Sequence, residues 1–353
     1  METILNWFRR QLANPQVIIL GIVLLLVFSL IIFWGALIAP VIAALVIAYV
    51  LEGAVRNIEK LKVPRFAAVL ITISMFVVLV IALVFGVLPL FSAQAVQFAS
   101  QVPNWIAEGQ AVLQQLPQSY PDVVSEAQVQ QMIEVIAGLV TELGQNVIAW
   151  SASSVVGVIT LIVYLILVPI LVFFFLKDKR KLLEWSQSFI PNKDHGLTQT
   201  VWENVNRQMS NYVRGKFWEI LIVGGATFVA FRIFGLQYSL LLSVIVGLSV
   251  LIPYVGAVVV TVPVVLVAFF QWGFTPDFAY LVIAYAVIQL IDGNVLVPMI
   301  FSEVVNLHPI AIIVAVLFFG GLWGVWGVFF AIPLATLVRA ILISWPKAPV
   351  EEV

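Results

Sequence analysis

The chain has no cysteine. Disulfides, thiolate metal sites and cysteine nucleophiles are therefore excluded. Histidine is nearly absent too, with only His195 and His308. No HExxH motif and no Walker A sequence occurs, so neither zinc-hydrolase chemistry nor ATP drive finds support in this chain. No arginine-rich apolar helix marks a voltage sensor. Charged residues make up 10% of the chain, against about 25% in soluble domains. The formal net charge of −1 says little about partners, and no nucleic acid is expected among them. No enzyme and no bound cofactor is expected.

Apolar residues fill the space, at 63% of 353 residues. A helical span needs about 20 of them in a row. The composition predicts an all-α polytopic membrane protein with polar insertions, whose first partner is the lipid bilayer. The apolar run from Val17 is too long for a signal-peptide core and leads into more apolar sequence, so it reads as the first span.

Charge sign sets the topology. No Lys or Arg lies between Phe66 and Leu176, a stretch that holds Glu108, Asp122, Glu126, Glu134 and Glu142. By the positive-inside rule its polar part lies outside. Arg9 and Arg10 place the N-terminus inside, and Lys347 the C-terminus. Arg56, Lys60, Lys62 and Arg65 mark a short inner loop. Lys177, Lys179, Arg180, Lys181, Lys193, Arg207, Arg214 and Lys216 mark a longer one. Residues 1–91 then hold the N-terminal spans, 17–34, 37–51 past Pro40, and 66–91. An extracytoplasmic helical insertion (92–149), a span (150–176) and a cytoplasmic insertion (177–216) follow. A bundle (217–345) and a short tail (346–353) complete the chain, with about eight crossings in all. The bundle opens with a span at 217–234 and continues through apolar runs at 240–252, 254–271, 278–299, 310–321 and 324–343. Several of these are too short for a straight crossing, which predicts re-entrant or broken helical hairpins around a cavity.

Both insertions carry helical stripes. In the outer one, Val129, Met132, Ile133, Ile136, Leu139, Val140 and Leu143 recur at helical spacing, and Pro103, Pro117 and Pro121 are expected to separate its helices. In the inner one the stripe is Val201, Val205, Met209 and Val213. Such faces dock on the bundle or lie among lipid headgroups; binding of a partner is the alternative.

Asp292 is the only charged residue between Phe278 and Ser302. A carboxylate at membrane depth costs at least about 2.5–3.5 kcal/mol, so it faces protein or a watery path. Gly293 and Pro298 flank it with the means to open a helix. An anionic group beside opened backbone is how transporters hold ions and small polar solutes. Gln289 shares its helical face, as a ligand or an interhelical hydrogen bond, and Asn294 lies just beyond. Two later segments, GLSVLIPYVGAVVVTVPVVLVA (247–268) and GGLWGVWGVFFAIPLATLVRA (320–340), share a layout of glycines followed by Gly256 or Gly327 and then Pro263 or Pro333. Paired Gly/Pro-interrupted apolar segments point to a transporter's substrate site; close helix packing and simple kinks are the alternative. In the polar break SEVVNLHPI, His308 suits either a proton carrier or a helix start, beside Glu303 and Asn306. Glu219 and Arg232 are expected near the ends of one span, reaching the interface. Arg339 is expected to snorkel inward.

The run DGNVLVPMIFSEVVNLHPIAIIVAVLFFGGLWGVWGVFFAIPLATLVRA resembles the autoinducer-2 exporter family, in its PerM-type branch of permeases. IPYVG (252–256), NYVRGK (211–216) and FFFLKDKRKLLEW (173–185) resemble it too. The resemblance implies an eight-span transporter of the bacterial inner membrane, homo-oligomeric, with a pentamer among the forms. It implies an elevator-like carrier with hairpins in its moving part. Family activities divide between export of a signal molecule and sodium/proton antiport, so the solute is small and polar, or the cargo is a cation, with Na⁺ or H⁺ coupling. Carried over to this chain, the substrate region is Pro253, Tyr254, Gly256, Asp292 and Asn294.

The charge pattern makes one direct prediction. Single cysteines replacing Gln115 and Lys193 should label with impermeant reagent from opposite faces of the membrane; labelling from the same face contradicts the topology.

Overall fold

The computed structural model describes residues 15–119, 130–131, 154–188, 195–301 and 308–344. Among these the protein is all-α, with no strand. The helices are α1 (Pro15–Glu59), α2 (Arg65–Ala82), α3 (Leu88–Ser119), α4 (Ser154–Lys177), α5 (Lys179–Ser188) and α6 (His195–Phe234). Then come α7 (Ser239–Ser249), α8 (Val255–Trp272), α9 (Pro276–Ile291), α10 (Val297–Phe301) and α11 (Pro309–Ser344). Six described segments are long and apolar enough to cross a membrane.

The N-terminal part departs from the sequence reading. The expected spans 17–34 and 37–51 form one continuous helix, α1, of 45 residues, about 68 Å at 1.5 Å per residue. Gly35 and Ala36 offer no obligatory turn, and Pro40 removes one hydrogen bond without ending the helix. Likewise Pro103 and Pro117 lie inside α3 and do not separate helices. The outer stripe from Val129 to Leu143 falls outside the described residues, apart from a helical pair at 130–131. Of the inner stripe, Val213 is buried and Met209 packs against the same core. That is the docking role.

Two short π turns interrupt the helices, Leu83–Val87 between α2 and α3 and Asp292–Leu296 between α9 and α10. Each closes with an i to i−5 bond, from Leu88 N–H to the Leu83 carbonyl and from Val297 N–H to the Asp292 carbonyl. Each contains a glycine, Gly86 or Gly293, and runs into a proline, Pro89 or Pro298. The proline ring crowds the carbonyl four residues back, and the wider turn relieves it. The expectation of an opened backbone at Gly293 is corrected accordingly. The chain stays helical through Asp292 and widens by one residue.

The predicted hairpins are present. In the first, α7 has 11 residues, about 16 Å, half of a hydrocarbon core of about 30 Å. It ends in the turn Val250–Tyr254, and α8 returns. Tyr254 sits at φ 63°, ψ −50°, a region that side chains other than glycine rarely enter. In the second, Gly324 breaks α11 at φ 59°, ψ −134°. The two hairpins share a device. A Cβ on Gly256 would overlap the Ser249 carbonyl oxygen, and one on Gly327 would overlap the Phe319 carbonyl oxygen. In each case the returning arm passes so close to the end of the outgoing arm that only glycine fits. The shared layout of residues 247–268 and 320–340 therefore encodes one tip geometry twice.

Three apolar cores hold the bundle, and α6 belongs to two of them. Val223 and Phe231 of α6 pack with α7, α8 and α9, while Tyr212 and Val213 pack with α10 and α11. Gly224 and Gly247 bring α6 and α7 into backbone contact, with a Cβ on Gly247 only 3.1 Å from the Gly224 Cα. Such small-residue contacts replace the hydrophobic drive that lipid removes. The third core joins α1, α2 and α4 through Ala44, Ala48, Ala68, Val69 and Val172. At its end lies buried Glu52, paired with Lys179 at 2.8 Å, Arg65 at 3.2 Å and Arg56 at 3.3 Å. Arg65 also donates to the Leu176 carbonyl at 2.6 Å. The two basic segments of the sequence thus meet at one end of the bundle.

The tips generate a test. Gly256→Ala and Gly327→Ala should each lower the thermal stability of the detergent-solubilised protein, by about 1–3 kcal/mol or more, the cost of overpacking. Gly225→Ala and Gly321→Ala, where nothing lies within 4 Å, should leave it unchanged.

Candidate functional site

Asp292 is 8% exposed and occupies the first position of the second π turn. Its Oδ1 is buried and makes no hydrogen bond. Against this turn packs α6, which contributes two further buried charges, Lys216 at 4% exposure and Glu219 at 2%. The Lys216 ammonium stands 2.8 Å from Glu219 Oε2. That pair is close without the alignment of a hydrogen bond, since Oε2 accepts none. Lys216 donates instead to the Val250 carbonyl at 2.8 Å, the first residue of the first hairpin turn. Its ammonium also lies 5.1 Å from the centroid of the Phe301 ring, a cation–π distance.

The site thus holds two carboxylates and one ammonium in an apolar setting. If both acids are ionised it carries one uncompensated negative charge. A buried charge of that kind is costly unless something neutralises it, and a proton or a cation does so.

One face of α6 organises these contacts. Tyr212, Lys216 and Glu219 are spaced i, i+4 and i+7, one above another. Tyr212 donates its hydroxyl to the Phe329 carbonyl of the second hairpin at 2.9 Å. The stripe therefore touches the second hairpin through Tyr212 and the first through Lys216, on the helix that packs against the charged π turn. Gly215 lets α10 approach: a Cβ there would collide with Ile300 and Phe301. On the opposite side, Arg214 donates to the Tyr49 carbonyl at 2.8 Å. The NYVRGK segment is accordingly a junction. Reading Lys216 as an inner-loop marker and Glu219 as an interface residue near a span end missed this, because both side chains are buried and paired along α6, and Lys216 reaches across to the first hairpin. Their spacing of three with Tyr212 four residues earlier was the available signal.

The other predicted residues scatter. Gln289 is half-buried and donates to the Tyr285 hydroxyl at 2.9 Å. That hydroxyl lies 3.1 Å from Thr261 Oγ1 of α8. The bond between helices is therefore Tyr285's, and Gln289 supports it from its own helix. Asn294 is exposed and donates to the Leu290 carbonyl of its own helix at 2.9 Å; Gly293 is exposed with open space around it. Pro253, half-buried, and Tyr254, 57% exposed, form the first hairpin tip, and Gly256 is buried beneath it. His308 is exposed, and its Nδ1 accepts from Ile310 N–H at 3.3 Å, the helix-start role. Asn306 lies outside the described residues. Among the described residues no cluster of three or more His, Asp or Glu is placed to hold a metal ion.

A multi-pass helical bundle with interrupted hairpins around a buried, charge-unbalanced site has the build of a membrane transporter. The chain belongs to the AI-2E family of transporters, whose profile matches residues 20–347. It is 42% identical over 352 residues to the protein of Escherichia coli K12 named "Putative permease PerM", covering 100% of this chain and 99% of that one. It is 28% identical over 322 residues to "Putative transport protein YueF" of Bacillus subtilis, covering 89% and 85%. The protein is thus a multi-pass membrane transporter.

The α6 stripe has a measurable weight. Tyr212→Phe keeps the ring and leaves the buried Phe329 carbonyl without its donor, which should cost about 1–3 kcal/mol. Thermal unfolding in detergent reads the loss.

Proposed function

We propose that the protein is a secondary carrier of the bacterial inner membrane, with both termini cytoplasmic. It moves a small polar solute or signal molecule and couples that movement to H⁺ or Na⁺ at Asp292. The observation that carries this reading is the buried, unbonded Oδ1 of Asp292 in a site with two acids and one base. Neither a structural ion pair nor a packing role calls for that imbalance. A site that gains and loses a cation does, because its filled and empty states differ by one charge.

The hairpins support a carrier that moves its site in an elevator-like manner. The first is joined to the charge site through Val250 and the second to the same face of α6 through Phe329, while the third core and the Glu52 knot gather α1, α2 and α4, tied to α6 through Tyr49 and Arg214. Assembly of several copies, a pentamer among the forms, would give the moving part a fixed frame. Cation/proton antiport without an organic solute is the second reading, favoured by the same imbalance, since one exchangeable charge is all that antiport requires. A scaffold for envelope proteins has no use for such a site.

Purified protein in liposomes, with solute, proton and sodium gradients varied one at a time, tests the reading. Asp292→Asn keeps the shape and removes the charge. It should insert and assemble normally yet lose the dependence of flux on pH or sodium. Ion-dependent flux unchanged in a well-folded Asp292→Asn protein would remove the coupling role.

A further inference from the structure

From the arrangement around Lys216 we infer that this residue is a movable tether. It holds the first hairpin tip closed when Asp292 is neutralised and releases it when Asp292 is left charged. This deepens the reading of Asp292 as the ion or proton site and rests on it.

An ammonium has three hydrogens. Here it meets the Val250 carbonyl at 2.8 Å, Glu219 at 2.8 Å and the face of Phe301 at 5.1 Å. None of these three contacts reaches Asp292, whose Oδ1 has no hydrogen bond. That arrangement suits an Asp292 that carries a proton or a bound cation. Once the proton or cation leaves, Oδ1 becomes a bare anion in an apolar setting, and the adjacent ammonium is its nearest remedy. Of the three present partners, Glu219 is charged and holds the ammonium most strongly. The Val250 carbonyl is neutral, and it is the one that loses in competition with a second carboxylate.

Val250 opens the turn between α7 and α8, so losing its partner frees the tip. Among the described residues, the buried ionisable groups on the helices that pack against the turn of Asp292 are Lys216, Glu219 and Tyr212 of α6 and Tyr285 of α9. The second π turn and α10 add no other. Tyr212 is engaged with Phe329 and Tyr285 with Gln289 and Thr261, so Lys216 is the charge free to change partners. It acts as a positioning residue, converting occupancy of the ion site into the state of a hairpin.

The absence of cysteine makes the test direct. Val250 is 9% exposed, and Val250→Cys keeps the backbone carbonyl while placing the chain's sole thiol at the latch. In proteoliposomes its alkylation should be slow at low pH or in sodium. It should rise about tenfold or more at high pH without sodium, the factor that a charge-assisted hydrogen bond is worth. A single cysteine in place of Phe274, which is 88% exposed, corrects for the pH dependence of the thiol itself. Adding Lys216→Met should make labelling fast under all conditions. Adding Asp292→Asn should make it slow under all conditions. Lys216→Met labelling that stays slow and still follows pH or sodium overturns the tether. So does Asp292→Asn labelling that still follows them. Should Lys216→Met not yield folded protein, the Asp292→Asn comparison decides alone. The two layers separate cleanly. Flux in Asp292→Asn that loses its ion dependence, with labelling that keeps it, removes the tether and leaves the ion site standing. Flux that keeps its ion dependence removes the ion site.

Discussion

A lipid interior supplies no water to satisfy polar groups, so each buried charge and each broken stretch of backbone must find its partner within the protein. Lys216 is where this constraint concentrates. One ammonium, 4% exposed, answers a carbonyl freed by a hairpin turn, a carboxylate on its own helix and an aromatic ring on another. The turn that begins at Val250 could not be buried without a donor for its carbonyl. The donor could not be buried without Glu219. Asp292, facing both, is the charge left over, and the rest of the site follows from that remainder.

Much of this was legible in the sequence. Every apolar run in the last third corresponds to a helix in the structure, and the second Gly/Pro-interrupted segment, 320–340, is broken at Gly324. These features were readable because short apolar runs bounded by Gly and Pro have few physical solutions at membrane depth. The family resemblance, carried by the DGN run and its neighbours, matches the family that the chain belongs to. The N-terminal part was less legible. Proline marks a lost hydrogen bond, and whether a helix bends or stops there depends on its neighbours. Pro40 and Pro103 are absorbed within helices, while Pro89 and Pro298 are met by π turns.

The site was legible from one side only. Asp292 stood out because nothing around it was charged. Lys216 and Glu219 did not, because they sit where a basic cytoplasmic segment runs into a span, and charges there are expected on other grounds. Asn294 drew notice beside Asp292 and His308 in a polar break, yet each bonds locally, to Leu290 and to the start of α11. A sequence shows which residues are polar. It does not show which of them are already satisfied one turn away, and only the unsatisfied ones are available to a ligand.

The uninterrupted length of α6 has a mechanical meaning. From His195 to Phe234 it runs 40 residues without a break, about 60 Å, with Lys216 and Glu219 near its middle. A continuous α-helix is stiff against twisting, because each turn is bonded to the next. Its outer part, beginning well before the apolar stretch at Asn206, works as a shaft with the charge site mounted on it. A torque applied to that end reaches Tyr212, Lys216 and Glu219 as a rotation, with no joint between to absorb it.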